Sequence, residues 1–169
     1  MTQSANMRTP LQSDGKLIAL DVAASTHIYT GTIVCRDGDG NAVPGADAAG
    51  LLAAGVAEHE ADNSNGAAGD KKIAAHRRVS QTNNSVTDPV TKANLLEIVF
   101  VEDDHTISKT GGTYQIRAGL LVGVSADRTK VLVDFGAAPF ETAAVAGELA
   151  SSEAPSSVPG HSSSEPLSS

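Results

Sequence analysis

The densest group of ionisable side chains in this 169-residue chain is a single run in its second half. It consists of Glu102, Asp103, Asp104 and His105. Paired carboxylates can carry out acid–base chemistry or bind a metal ion. The apolar residues before the run predict a strand, however, and consecutive strand residues point to opposite faces. At most alternate members can then converge, so the sequence favours a solvated strand end over a reactive site. The shorter run at 58–60 (EHE) meets the same objection.

A second pattern resembles part of a calcium-binding loop. Asp37, Asp39 and Asn41 have the required alternate spacing. The sixth position of such a loop is Gly and the twelfth is Glu, whereas this chain has Ala42 and Ala48 there. The residues therefore predict a hairpin turn between two apolar runs and no metal site.

Motifs for nucleophilic or phosphate chemistry are missing from the sequence. The serines form no Gly-x-Ser-x-Gly elbow, and the segment 66–69 lacks the Gly-Lys-Ser/Thr ending of a phosphate-binding loop. The single cysteine, Cys35, lies in an apolar run, which predicts a buried and inert thiol. We therefore expect a protein that is not an enzyme and that uses no cofactor.

Five basic residues stand out because the chain as a whole has a formal net charge of −8. They are Lys71, Lys72, His76, Arg77 and Arg78. On a single predicted strand over 71–79, alternation would divide them between the two faces. Two interpretations remain open. One is an edge strand that its charges protect against aggregation, and the other is a protein-docking strand for an acidic partner.

The composition argues against several other kinds of partner. An acidic balance does not suit nucleic acid, because neutralising phosphates requires clustered Lys and Arg. No apolar run approaches the roughly 20 residues that a membrane span needs. The segment 1–10 lacks the apolar centre of a signal peptide, so export by that route is not expected. A single cysteine fits synthesis in a reducing cytoplasm.

The predicted elements are strands throughout. The stretch from Leu96 to Phe135 predicts four short strands in a β-meander, and in its last strand Leu132 should face away from Val131 and Val133. Earlier strand candidates span 16–22, 31–36 with 42–44 as a hairpin, 51–57 and 71–79, while 81–89 predicts a polar connection. The expected fold is all-β, a small β-barrel or β-sandwich. With 3% aromatic residues its core is thin, which favours burial of further surface against a partner.

Three regions follow from this pattern. Residues 1–15 form a polar, extended N-terminal arm, which is either a frayed terminus or a segment that orders on a partner. Residues 16–140 form the β domain. Residues 141–169 contain a short helix candidate at 141–150 and a Ser- and Pro-rich tail, which we expect to be disordered because it has too few apolar side chains to offset its ordering entropy.

The order of these segments resembles the capsid cement, or head decoration, proteins of tailed bacteriophages. The resemblance covers residues 18–135 and rests mainly on VEDDHTISKTGGT at 101–113 and AGLLVGV at 118–124. It implies a small β protein on the exterior of an assembled virion capsid, made in the host cytoplasm. It also implies the major capsid protein as partner, homo-oligomers, and no catalytic residues to carry over. The alternative is a β module that binds carbohydrate or a host surface.

Overall fold

The computed structural model describes residues 16–137, and in these residues the chain is almost entirely β. One 3-10 turn, Lys92–Asn94, interrupts the strands. The strands are β1 (Leu17–Asp21), β2 (Thr26–Ile28), β3 (Ile33–Arg36), β4 (Ala42–Pro44), β5 (Leu52–Ala57), β6 (Ala61–Asn63), β7 (Lys72–His76), β8 (Val79–Asn84), β9 (Ile98–Val101), β10 (Thr106–Ser108), β11 (Arg117–Val124) and β12 (Lys130–Asp134). The expected all-β class is confirmed. The predicted arm, helix candidate and tail lie outside the described residues.

The first half of the chain forms an antiparallel five-stranded sheet in the order β1-β7-β5-β3-β4. Strands β3 and β4 are the predicted hairpin. Asp37 organises its turn, because its Oδ1 accepts hydrogen bonds from the backbone N–H groups of Asp39 (3.0 Å) and Asn41 (2.8 Å). The prediction of a turn in place of a calcium loop agrees with these contacts.

The second half closes into a five-stranded barrel in the order β10-β8-β12-β11-β9, which confirms the barrel expectation. The predicted meander is wrong in its strand order, because β9 lies between β10 and β11. The outer edge of β10 is occupied by β8, which pairs with it in parallel at Ile107 and Asn84. Strand β11 therefore cannot add beside β10 and pairs with the free edge of β9 instead.

Two boundaries in the middle of the chain also differ from the predictions. The run 71–79 is not one strand, since β7 ends at His76 and Val79 begins β8 of the barrel. Part of the predicted polar connection is likewise strand. Its polarity is compatible with burial because Asn84 finds partners inside: its Nδ2 donates to the carbonyl of Val90 and its Oδ1 accepts from the N–H of Val90, both at 2.9 Å.

A continuous core joins the sheet to the barrel. Ile33 and Val56 of the sheet pack in one cluster with barrel residues such as Ile107 and Leu121, all of them buried. A smaller cluster lies on the other face of the sheet, where Ile73 packs beneath the two-stranded β2–β6 sheet. Both cores consist almost wholly of aliphatic side chains.

Candidate docking surface

The acidic run differs from the strand end that the alternation argument predicts. Strand β9 ends at Val101, so Asp103, Asp104 and His105 lie in a tight turn and can converge. His105 Nδ1 is 2.5 Å from Asp104 Oδ1 and 3.3 Å from Asp103 Oδ1. The hydrogen bond to Asp104 raises the pKa of His105, against the opposing effect of burial.

These contacts fasten the turn between β9 and β10. Asp103 Oδ1 also accepts the backbone N–H of His105 at 2.9 Å. Potential ligand atoms of Asp103, Asp104 and His105 lie within 4.8 Å of one another. Three side chains that already bond to one another fall short of the six to eight oxygen ligands that Ca²⁺ takes, so we assign this group to the turn.

The five basic residues of the predicted docking strand do not form one patch. Lys71 is exposed just before β7, Lys72 forms an ion pair with Asp21 of β1, and Arg78 is exposed beyond the end of the strand. Strand β7 lies between β1 and β5, so the edge-strand interpretation is wrong. In an extended conformation the segment from Lys71 to Arg78 spans about 20 Å. The docking role of these residues stays a prediction.

The end of this run has a structural task of its own. The N–H of Arg77 donates to the carbonyl of Lys16 at 2.7 Å, and the carbonyl of Arg78 accepts from the N–H of Phe135 at 3.4 Å. The segment thereby joins the sheet to the barrel. Burial, and secondarily the charge of Arg78, lowers the pKa of His76.

The outer wall of the barrel, together with the turn that leads into β9, carries many of the exposed large apolar side chains. Of the nine large apolar side chains that are exposed in residues 16–137, five lie on this wall, at 37% to 72% exposure. We call this set the apolar wall. It consists of Val79, Leu95, Leu96, Val122 and Leu132. Monomeric proteins rarely expose large contiguous apolar patches, so such a concentration marks a candidate binding surface.

Strand pairing brings the members of the apolar wall together. Val122 is the extra residue of a bulge in β11, between Leu121 and Gly123. Leu132 pairs with Gly123, and its Cδ1 lies 3.1 Å from the position that a Cβ on Gly123 would occupy. The leucine side chain therefore lies across β11, where the glycine leaves room for it. The N–H of Leu96 donates to the carbonyl of Leu121 at 2.8 Å, which fixes the preceding turn against the same strand.

Leu96 is the most exposed member of the apolar wall and has a strained backbone. Its φ is +67°, in the left-handed region that costs a side chain with a Cβ about 1–2 kcal/mol. Its side chain is 72% exposed. Neither the positive φ nor the exposure of Leu96 stabilises the protein when it is alone. Backbone strain of this kind persists only where the surrounding structure imposes it.

The positive φ belongs to a type II turn over Asn94–Glu97, in which the Glu97 N–H donates to the Asn94 carbonyl at 3.0 Å, and one buried side chain braces that turn. Asn94 Oδ1 accepts from the N–H of Thr91 at 3.0 Å and from its hydroxyl at 3.2 Å. Asn94 Nδ2 donates to Glu97 Oε2 at 2.9 Å. These bonds clamp the chain on both sides of Leu95 and Leu96, so the two leucines project from a rigid turn.

The sequence contains part of the signal for this surface. Alternation in β12 correctly places Leu132 opposite the buried Val131 and Val133. The adjacent leucines 95 and 96 mark an apolar pair at the end of a polar turn. That these residues meet depends on the pairing of β11 with both β9 and β12, which sequence reasoning did not supply.

In the described part of the chain, no helix has the length and hydropathy to cross a membrane. Comparison with protein-family models, with curated proteins and with solved structures finds no match to this chain.

Proposed function

We propose that this protein is a structural capsid cement protein that binds the outer surface of an assembled phage head and stabilises it. The observation that carries the proposal is Leu96 of the apolar wall, which is exposed and held at a positive φ. A partner that covers this leucine would recover the free energy that its exposure costs, about 25 cal/mol for each Å² of apolar surface. The likeness of 101–113 and 118–124 to head decoration proteins supplies the identity of the partner, the major capsid protein.

The architecture suits a binding role that requires no movement. The closed barrel has no free strand edges, and the clamp around Leu95 and Leu96 holds the two side chains in place before binding. Preorganisation lowers the entropy lost on association. On a symmetric lattice many modest contacts add up, and homo-oligomers of this chain would multiply them. We propose no catalytic step for this protein.

The test uses undecorated heads of the phage that encodes the chain. The wild-type protein should bind them saturably and raise the temperature at which they disrupt. Leu96→Asn, which removes the apolar side chain and tolerates a positive φ, should weaken binding about tenfold or more, as loss of an interface anchor does. Val86→Asn is the matched control, because Val86 is 95% exposed but lies off the apolar wall.

Two results would contradict the proposal. One is the absence of saturable binding by the wild-type protein. The other is a Leu96→Asn variant that binds as tightly as Val86→Asn. The double variant Lys71→Gln/Arg78→Gln, measured in the same assay, tests the basic docking strand separately. If the apolar wall carries the affinity, this variant should lose less than Leu96→Asn.

A second candidate function is that of a carbohydrate- or host-surface-binding module. It is supported by the residues around Tyr29, which lie away from the apolar wall. Tyr29 is 56% exposed and its ring stacks on His27 with centroids 4.1 Å apart. His27 Nε2 in turn bonds Glu60 Oε1 at 2.7 Å. An exposed aromatic ring beside polar groups can take the apolar face of a sugar. Saturable binding on a glycan array that Tyr29→Ala abolishes would support this function over head binding.

A further inference from the structure

A shallow depression of about 410 Å³ lies directly beside the apolar wall. One side is formed by the turn 91–93 and the other by the hairpin that joins β11 to β12. Lys92 is three residues before Leu95, and Val124 is two residues after Val122. A partner that covers Leu96 and Val122 and extends over the β11–β12 hairpin would also meet the depression.

The charge of the depression differs from that of the protein as a whole. The chain has 20 acidic and 12 basic residues, yet the lining contains Lys92 and Arg128 and no carboxylate. Between residues 16 and 137, neither of these two side chains forms an ion pair. We call the depression with these two cations the cationic notch.

The nearest carboxylate in sequence, Asp127, is engaged elsewhere. It accepts hydrogen bonds from the Ser125 hydroxyl at 2.5 Å and from the Thr129 N–H and hydroxyl at 3.1 and 2.9 Å. These donors, the Ser125 hydroxyl first, lower the pKa of Asp127 to about 2. The Asp127 carboxylate is thus held in the hairpin turn by neutral donors, which leave its negative charge in place, and it is not part of the lining of the notch.

The backbone of the second cation is fixed. The Arg128 carbonyl accepts from Asn84 Nδ2 at 2.9 Å, and its N–H donates to the Ser125 carbonyl at 3.0 Å. These bonds hold the Arg128 backbone in place, and the residue lines both the notch and a neighbouring depression that also contains Lys130. A guanidinium presents paired donors that match a carboxylate, and a lysine adds a second positive charge.

We infer that the cationic notch binds a carboxylate side chain of the partner that docks on the apolar wall. The partner's epitope would then place an Asp or Glu beside apolar residues. This inference rests on the proposed function for the identity of the partner, but the carboxylate itself can be tested without one.

The first experiment is an NMR titration of the ¹⁵N-labelled full chain at low ionic strength with the α-amide of N-acetyl-aspartic acid, which carries a single side-chain carboxylate. We expect saturable shifts at the Arg128 Nε–H and at the backbone amides of 125–128. The shifts of the backbone amides should disappear in the variant Lys92→Gln/Arg128→Gln. They should persist in the variant Lys71→Gln/Arg78→Gln, which removes the same number of positive charges at other positions. Titration with uncharged N-acetyl-alaninamide should shift none of these signals. A wild-type response that does not saturate, or that survives in the notch variant, would overturn the inference.

The second experiment places the same two variants in the head-binding assay. Loss of the notch cations should weaken binding about tenfold and flatten its salt dependence, because charge-assisted contacts are screened by salt. The charge-matched variant should lose clearly less. Equal losses would indicate a general effect of net charge and overturn the inference.

The two proposals fail in different ways. If Leu96→Asn weakens binding but the notch variant does not, the docking function stands and the carboxylate contact falls. If the wild-type protein does not bind heads, the docking function falls, and the titration still decides whether the notch binds a carboxylate.

Discussion

Leu96 shows how a single residue can work against the stability of its own fold. A leucine at a φ of +67° would be replaced by Gly or Asn if only folding mattered, and a side chain with this exposure gains nothing from being apolar. The clamp of Asn94 on Thr91 and Glu97 keeps the conformation in place. Residues with this profile are often retained for binding, and replacing them tends to raise stability while lowering function.

Leu96→Asn should therefore leave the free energy of unfolding unchanged or raise it by up to about 1 kcal/mol, because Asn tolerates the left-handed region better than Leu. Chemical denaturation followed by circular dichroism measures this, with Val86→Asn as the control at an exposed residue off the apolar wall. A loss of more than about 1 kcal/mol would show that Leu96 supports the fold.

Cys35 is the second residue with a definite expectation. It is fully buried in the core between sheet and barrel, and burial raises the pKa of its thiol to about 12. At pH 8 only about one molecule in ten thousand then carries the reactive thiolate. We expect no reaction with a disulfide reagent in the native state and one equivalent after unfolding. Rapid labelling of the native protein at pH 8 would contradict the buried, inert thiol that the sequence predicts.

At the scale of elements, the most informative segment is the connection between β10 and β11. This connection crosses from one side of β9 to the other. Two glycines with positive φ, Gly111 and Gly112, allow it to do so. Gly111 has a φ of +77°, and a Cβ there would lie 2.5 Å from the Phe100 side chain. Asp47, from the first half of the chain, accepts the N–H groups of Thr113 at 2.6 Å and Tyr114 at 2.8 Å. A remote carboxylate thus fixes the crossing that distinguishes this barrel from a meander.

Asp47→Ala should loosen the connection without opening the barrel, since it removes the acceptor for two backbone N–H groups. We expect a loss of about 1–3 kcal/mol in stability and faster hydrogen exchange across 110–115. Asp39→Ala is the control, because Asp39 takes part in its turn through its backbone N–H, which donates to Asp37, and not through its carboxylate. Unchanged protection of 110–115 in Asp47→Ala would show that the two hydrogen bonds do not hold the connection.

At the scale of the whole molecule, the sheet and the barrel share one core. Ile33 and Val56 contribute from the sheet and Ile107 from the barrel, although the first half also has a second cluster of its own around Ile73. A shared core predicts that both halves unfold together.

Ile107→Ala should test this coupling. We expect it to lower the free energy of unfolding by about 2–5 kcal/mol, through lost burial and the cavity left behind, while unfolding stays a single transition. Calorimetry and circular dichroism should give coincident midpoints. Val86→Ala, at an exposed site, should change stability by less than about 0.5 kcal/mol. Two resolved transitions would mean that the sheet and the barrel are separate cooperative units.

The sequence by itself determined the class of the fold, its hairpin at 37–41 and the inward and outward faces of β12. These follow from local rules: strand periodicity, turn-forming residues and the composition of a core. It did not determine which strands are neighbours. The parallel pairing of β8 with β10, the insertion of β9 between β10 and β11, and the split of 71–79 between two sheets all depend on contacts between distant segments.

The candidate surface belongs to that second group. Leu96, Val122 and Leu132 are separated along the chain, and each alone is an ordinary exposed apolar residue. Only the ladders of β11 with β9 and β12 bring them onto one wall, and only the fold places Lys92 near Arg128 beside it. Strand periodicity specifies the face on which a side chain lies. Strand pairing between distant segments specifies its neighbours, and the tertiary structure therefore decided where a partner would bind.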